Sequence, residues 1–219
     1  LRSPSSPAMV RGNLAEFGAY YKIKRGMAQK NDEHFEKLIT HKFNKNHFFE
    51  PYKEISNAIE IAKKFEDKLY ERQLRDIISY QKEKVENIQG IKYPVRLFTD
   101  FEYDNLIVDL KSTLRLPTKP KIDHLRQQAL YSVLHDKPIA LLYASPKKTF
   151  WYDLTKEDVK EGYTELLRDF KSLENYIDMC NNNIEDAIKI TPLNTDPSPF
   201  YWDNNIKKAA IKVWKTVNK

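Results

Sequence analysis

Two periods of apolar and polar positions run along this chain, and the change between them divides it. From 9 to 24 the pattern is helical, with Leu14, Phe17, Tyr20 and Tyr21 spaced three and four apart. The Ser/Pro-rich residues before it read as a loose start. A second helix is predicted over 32–43, opened by Asp32-Glu33, acids that suit a helix N-terminus. A third starts near Pro51, a residue tolerated in a first turn, and runs to about 70 with Ile55, Ala58, Ile59, Ala62 and Phe65 on one face.

The period then shortens. Strands are predicted over 76–88, 93–103 and 106–113, the last two rich in β-branched and aromatic residues. A basic, proline-broken loop, 115–121, leads to a helix over 124–135. A short apolar strand over 137–145 and a hairpin partner over 147–154 follow. The long amphipathic helix predicted over 155–180 begins at Thr155, with Asp158 at the capping-box position. A proline-rich loop over 190–202 and a terminal helix over 205–217 complete the order. This order predicts an α/β domain with a central mixed β-sheet flanked by helices, with helical N- and C-terminal additions. One domain over 1–219 is expected, its core about 9–180 and a helical extension about 181–219.

Composition narrows the class. Of 219 residues, 41% are hydrophobic and 31% charged, which describes a globular chain rather than a disordered one. No apolar run approaches the ~18 residues of a membrane span, and the first residues have no apolar signal-peptide region. A single cysteine, Cys180, rules out an internal disulfide, a zinc cluster or an iron–sulfur site built by this chain alone, and suits a reducing, cytoplasmic setting. Any metal would be held by oxygen or nitrogen. The 37 Lys+Arg against 31 Asp+Glu give +6, a mild bias toward polyanions.

The candidate chemistry lies in TDFEYDNLIVDLKST, 99–113. If Asp104-Asn105 forms a two-residue turn, both residues tolerate the positive φ it needs. Phe101 then faces Val108 and Thr99 faces Leu110 on one mostly apolar face. On the other, Glu102 meets Ile107, Asp100 meets Asp109 and Phe98 meets Lys111. Directly opposed carboxylates would stand with Cβ atoms ~5 Å apart and repel, unless something positive lies between them. Lys111 emerges on the same face, and a divalent cation such as Mg²⁺ or Mn²⁺ would also resolve the repulsion. Asp-x-Lys by itself is also common on an exposed charged strand.

Asp100, Asp109 and Lys111 together resemble the core motif of the PD-(D/E)XK nucleases, with the likeness nearest the RecB-type exonuclease branch, which includes phage exonucleases and the mitochondrial genome maintenance exonuclease. Upstream, Arg11-Gly12 followed by Glu16 resembles that branch's Arg-Gly motif. Downstream, Gln127 and Tyr131 match its Gln-x-x-x-Tyr helix motif. Thr99 stands where the superfamily has a proline, and the four cysteines of the iron–sulfur subset are missing, so no cluster is implied. The resemblance implies a restriction-endonuclease-like core. It makes Glu16, Asp100, Asp109 and the Leu110 carbonyl ligands of one or two Mg²⁺ or Mn²⁺ ions. Lys111 would position the attacking water and stabilise developing charge, with Gln127 and Tyr131 assisting.

It further implies a DNA exonuclease in phage-like DNA processing, recombination or repair, acting in the cytoplasm (a host's, for a viral protein). A single-strand annealing or single-strand binding protein would be a partner. Arg11 and the loop residues Arg115, Lys119 and Lys121 are candidate DNA contacts, although a solvated basic loop reads the same way. Lys147, Lys148, Phe150, Trp151 and Tyr152 combine charge with aromatics, which suits either strand stacking or a core. The five histidines show no ligand spacing. A structure- or site-specific endonuclease on the same core, and an inactive nucleic-acid-binding module, remain open at this stage.

Overall fold

The computed structural model describes residues 7–25, 36–41, 52–190, 208 and 211–212. Contacts divide the chain into two compact units, Ser6–Leu167 and Arg168–Lys219 with Leu1–Ser5, so the division falls inside a long helix. The larger unit contains α1 (Pro7–Arg25), α2 (Tyr52–Glu71), β1 (Ser79–Glu86), β2 (Val95–Glu102), β3 (Ile107–Ser112), α3 (Ile122–His135), β4 (Ile139–Ala144), β5 (Thr149–Asp153) and the first half of α4 (Lys156–Met179). Residues 36–41 are also helical. In the smaller unit the end of α4 is followed by α5 (Ile184–Ile190), with the Tyr176 hydroxyl donating to the Ala187 carbonyl at 3.2 Å and Cys180 buried. The predicted loop over 190–202, most of the terminal helix and most of the 32–43 helix lie outside the described residues. Among the described residues, no helix is long and apolar enough to cross a membrane.

The sheet has five strands in the order β1-β2-β3-β4-β5. All neighbours are antiparallel except β3 and β4, so the sheet is mixed, as expected. A parallel pair cannot be joined by a hairpin, and α3 supplies the crossover. β4 is buried along its whole length, as befits a strand covered on both faces.

Helices α1 and α2 build the main core on one side of the sheet. Val10, Leu14, Ala15, Ala19 and Ile23 of α1 meet Ile55, Ala58, Ile59, Ala62, Phe65 and Leu69 of α2 over Phe101, Val108 and Leu110. Fully burying a side chain of Phe65's size contributes roughly 1.5–3 kcal/mol. The aromatics expected to lead the α1 face, Phe17, Tyr20 and Tyr21, flank this core half-buried, because the small residues Ala15 and Ala19 take the closest approach. Helix α1 starts at Pro7, earlier than the pattern suggests, a residue tolerated in a first turn. Ion pairs Arg11–Glu54 at 2.7 Å and Lys22–Glu66 at 2.9 Å tie α1 to α2.

The β2–β3 hairpin keeps the expected register next to its turn, where Phe101 pairs with Val108 and Glu102 with Ile107. The turn itself differs. Neither Asp104 nor Asn105 has positive φ, and the connection is closed by the Tyr103 N–H donating to the Leu106 carbonyl at 2.8 Å. That bond closes over the same two residues, so the expected register holds without a left-handed residue at either. The expected capping box of α4 is present, with the Thr155 hydroxyl accepting from the Asp158 N–H at 3.1 Å and the Asp158 carboxylate accepting from the Thr155 N–H at 2.8 Å.

Candidate active site

Beyond Phe101 the β2–β3 ladder stops, although both strands continue. Asp100 and Asp109 are therefore not the regular opposed pair that the register predicts. The Asp100 carboxylate instead accepts the Leu110 N–H at 2.7 Å, so a side chain takes the place of backbone pairing where two like charges would have faced each other.

Four elements converge there. Strand β3 brings Asp109, 2% exposed, and Lys111, whose ammonium lies 2.6 Å from Asp109 Oδ2. Helix α3 crosses the same face. Gln128, fully buried, donates to Asp109 Oδ1 at 2.8 Å. Gln127 accepts from Lys111 at 3.2 Å and donates to the Tyr131 hydroxyl at 3.1 Å, as side chains four apart on one helix face allow. Helix α1 brings Glu16. Its approach depends on Gly12 one turn earlier, where a Cβ would come 3.1 Å from Ser112 Oγ at the end of β3. From the edge strand β1, Gln81 donates to Glu16 Oε1 at 2.9 Å, and the Tyr80 hydroxyl bonds the same carboxyl.

The electrostatics follow from three buried or half-buried carboxylates sharing one ammonium. Burial, and then Asp109's charge, push the Glu16 carboxyl up from 4.5 to about 7 against the pull of Gln81, Tyr80 and Lys111. Asp100 is raised well above its ordinary value, by burial first and then by Asp109 and Glu16. Lys111 stays charged, because Asp109 and Asp100 more than offset the burial that works against its ammonium. Two residues on from Asp100, Glu102 shows the opposite case. It holds Lys137 at 2.9 Å, Ser79 at 2.8 Å and Lys82 at 3.0 Å, and despite burial these partners bring it down to about 2.

Among the described residues the site thus sets one ammonium against three carboxyl groups, and its donors are carboxylate oxygens on three elements. That donor set fits a hard divalent cation. Among the described residues, no three His, Cys, Asp or Glu side chains already stand grouped as ligands. Their oxygens are taken by Gln81, Gln128, Lys111 and the Leu110 N–H, contacts that an ion would displace in part.

The sequence-predicted site residues Glu16, Asp100, Asp109, Lys111, Gln127 and Tyr131 come together, and Leu110 lies among them. Arg11 does not join the surface. It is buried, its guanidinium on Glu54, because the α1–α2 interface needs a partner for that acid. Arg115, Lys119 and Lys121 are exposed on the loop between β3 and α3, and the Lys121 N–H is anchored on the Tyr143 hydroxyl at 3.2 Å. Phe150 stacks on Tyr143 at 5.9 Å, on the sheet face that carries Lys111, with Tyr152 beside it, while Trp151 packs against the main core under the Arg72 guanidinium. Sequence reasoning missed Gln128, Gln81 and His124. His124 contacts the Tyr143 hydroxyl at 2.8 Å, and burial and then Lys111 hold it down to about 4, so it is neutral at pH 7.

No protein-family profile matches the chain, and no curated protein does. Among solved structures it is similar to one titled "Crystal structure of SSO0001", at 17% identity and a TM-score of 0.38, over 73% of this chain and 86% of that one.

Proposed function

We propose that this protein is a metal-dependent DNA exonuclease that hydrolyses phosphodiester bonds from strand ends. The observation that carries the reading is the meeting of Glu16, Asp100 and Asp109 around the single ammonium of Lys111, which Asp109 and Gln127 hold in place. The likeness of these residues to the RecB-type motifs adds the choice of DNA ends as substrate.

Glu16, Asp100 and Asp109 would hold Mg²⁺ or Mn²⁺, with the Leu110 carbonyl beside them. Such an ion, when bound, neutralises phosphate charge and lowers the pKa of a water. The chain's own residues do the rest. Lys111 offers an ammonium to the charge that develops on the phosphate oxygens, a stabilisation strengthened by its partly buried setting. Gln127 fixes that ammonium from behind, and Tyr131 fixes Gln127. Gln128 orients Asp109. The exposed Arg115, Lys119 and Lys121 offer phosphate contacts on the strand leading in.

The test is a gel assay with end-labelled linear DNA and closed circular DNA, in Mg²⁺, Mn²⁺ or EDTA. Degradation of linear DNA alone, abolished by EDTA, is expected. Efficient cutting of closed circles identifies an endonuclease on the same core. No cleavage of either substrate with any metal overturns the reading.

A further inference from the structure

We propose that Gln81 is a positioning residue of this site, supplied by a deliberate irregularity in strand β1. The β1–β2 register runs from Ser79–Glu102 to Glu86–Val95 without a shift, yet Gln81 and the residue facing it, Asp100, form no ladder pair. Gln81 has φ 48°, in the left-handed region, where a non-glycine side chain is unfavourable and where strand residues do not belong.

The irregularity has a definite effect. Successive strand residues point to opposite faces. Here Tyr80 stacks on Tyr20 at 4.2 Å and lies edge-on to Phe101, so it faces the core side. Gln81, next in line, should point away. Both nevertheless reach the Glu16 carboxyl, Gln81 at 2.9 Å. The left-handed turn of backbone brings two consecutive side chains onto one acid. β1 is an edge strand and Gln81 is exposed, so the distortion disturbs no second neighbour and no core. The donor type suits the task. An amide N–H orients a carboxylate without cancelling its charge, as a lysine would, so Glu16 stays available to a divalent cation. Side chains that hold a metal ligand in place are worth about 10–100-fold in metal affinity.

This inference rests on the metal-site reading above, and one set of variants separates the two. Gln81→Gly removes the amide and relieves the backbone, since glycine adopts positive φ freely. In the metal-free full chain it should melt no lower than the parent. In a Glu16→Ala background, where there is no bond left to lose, the same substitution should stabilise, so that the two backgrounds differ by about tenfold in the unfolding equilibrium constant. Calorimetric titration with Mn²⁺ should show affinity about 10-fold or more weaker for Gln81→Gly. A purely structural glutamine would lower melting and leave Mn²⁺ affinity unchanged, which overturns the proposal. Equal effects in both backgrounds beside normal Mn²⁺ binding overturn the role of Gln81 alone. A parent protein that binds no Mn²⁺ overturns the metal-site reading and this inference with it.

Discussion

The Asp100 carboxylate accepts the Leu110 N–H at 2.7 Å, where a continued ladder would have offered that N–H to Thr99. The side chain therefore both ends the pairing and satisfies the strand it interrupts. Asn at position 100 keeps an acceptor oxygen and Ala does not. Asp100→Asn should leave the metal-free fold at least as stable as the parent at neutral pH, since it also replaces a carboxyl that burial and the neighbouring acids make costly to ionise. Asp100→Ala should cost roughly 1–3 kcal/mol, the scale of a stranded buried donor. Urea unfolding of the two variants checks this.

Asp109 and Lys111 should separate in function. Asp109→Asn should abolish Mn²⁺ binding and cleavage together. Lys111→Ala takes away an ammonium 2.6 Å from Asp109, so Mn²⁺ should bind at least as well while turnover falls by ~10²-fold or more. Calorimetry beside a nuclease assay reads both. Near-parent cleavage by Lys111→Ala would make the lysine a bystander.

The metal-free protein should lose stability as pH rises from about 4.5 to about 7. Glu16 titrates near 7 when folded because it is buried and next to Asp109, against 4.5 for the ordinary side chain. Between those values the folded protein holds a proton that the unfolded chain has released. The contribution is thus complete below 4.5 and disappears as pH passes 7. Glu16→Gln lacks this slope, so its unfolding midpoint should gain on the parent's between about pH 4.5 and pH 8. A constant difference between the two would show that Glu16 titrates normally.

Arg115, Lys119 and Lys121 are exposed on the loop between β3 and α3. If they meet phosphates, each replacement by Ala should flatten the plot of log affinity against log salt by about 0.9 for duplex or 0.7 for single-stranded DNA. Binding to end-labelled DNA across a salt series measures the slope. An unchanged slope in the triple variant would remove the loop from the interface.

Helix α4 seats on α3 at Gly162, where a Cβ would lie 2.9 Å from Ala129 Cβ and 3.3 Å from Arg126 Cα. An exposed helical Gly→Ala usually gains about 1 kcal/mol. Here overpacking, at roughly 1–3 kcal/mol, should win, and Gly162→Ala should unfold at lower urea than the parent.

Much of this arrangement was legible because it is local. The helix and strand periods located the elements, the β2–β3 register followed from Asp104-Asn105, and Thr155 with Asp158 announced the start of α4. What escaped depends on distant or backbone events. Arg11 reads as a surface cation until Glu54, 43 residues on, claims it. Gln81 carries no residue preference for left-handed backbone, unlike Gly, Asn or Asp, so nothing in its identity marks the irregularity. Gln128 sits one position from Gln127, and only the seating of α3 across β3 brings both amides to the strand, one to Asp109 and one to Lys111.

Lys111 meets Gln127 across 16 residues of chain, whereas Glu16 meets Gln81 across 65. On a ribosome adding about 5–20 residues per second, the first pair is made within about 1–3 s and the second over about 3–13 s. For that interval α1 is present in the nascent chain without the strand that bonds its acid or the hairpin that raises its proton affinity. Glu16 is made as an ordinary carboxylate and acquires its unusual proton affinity only later, when distant parts of the same chain arrive.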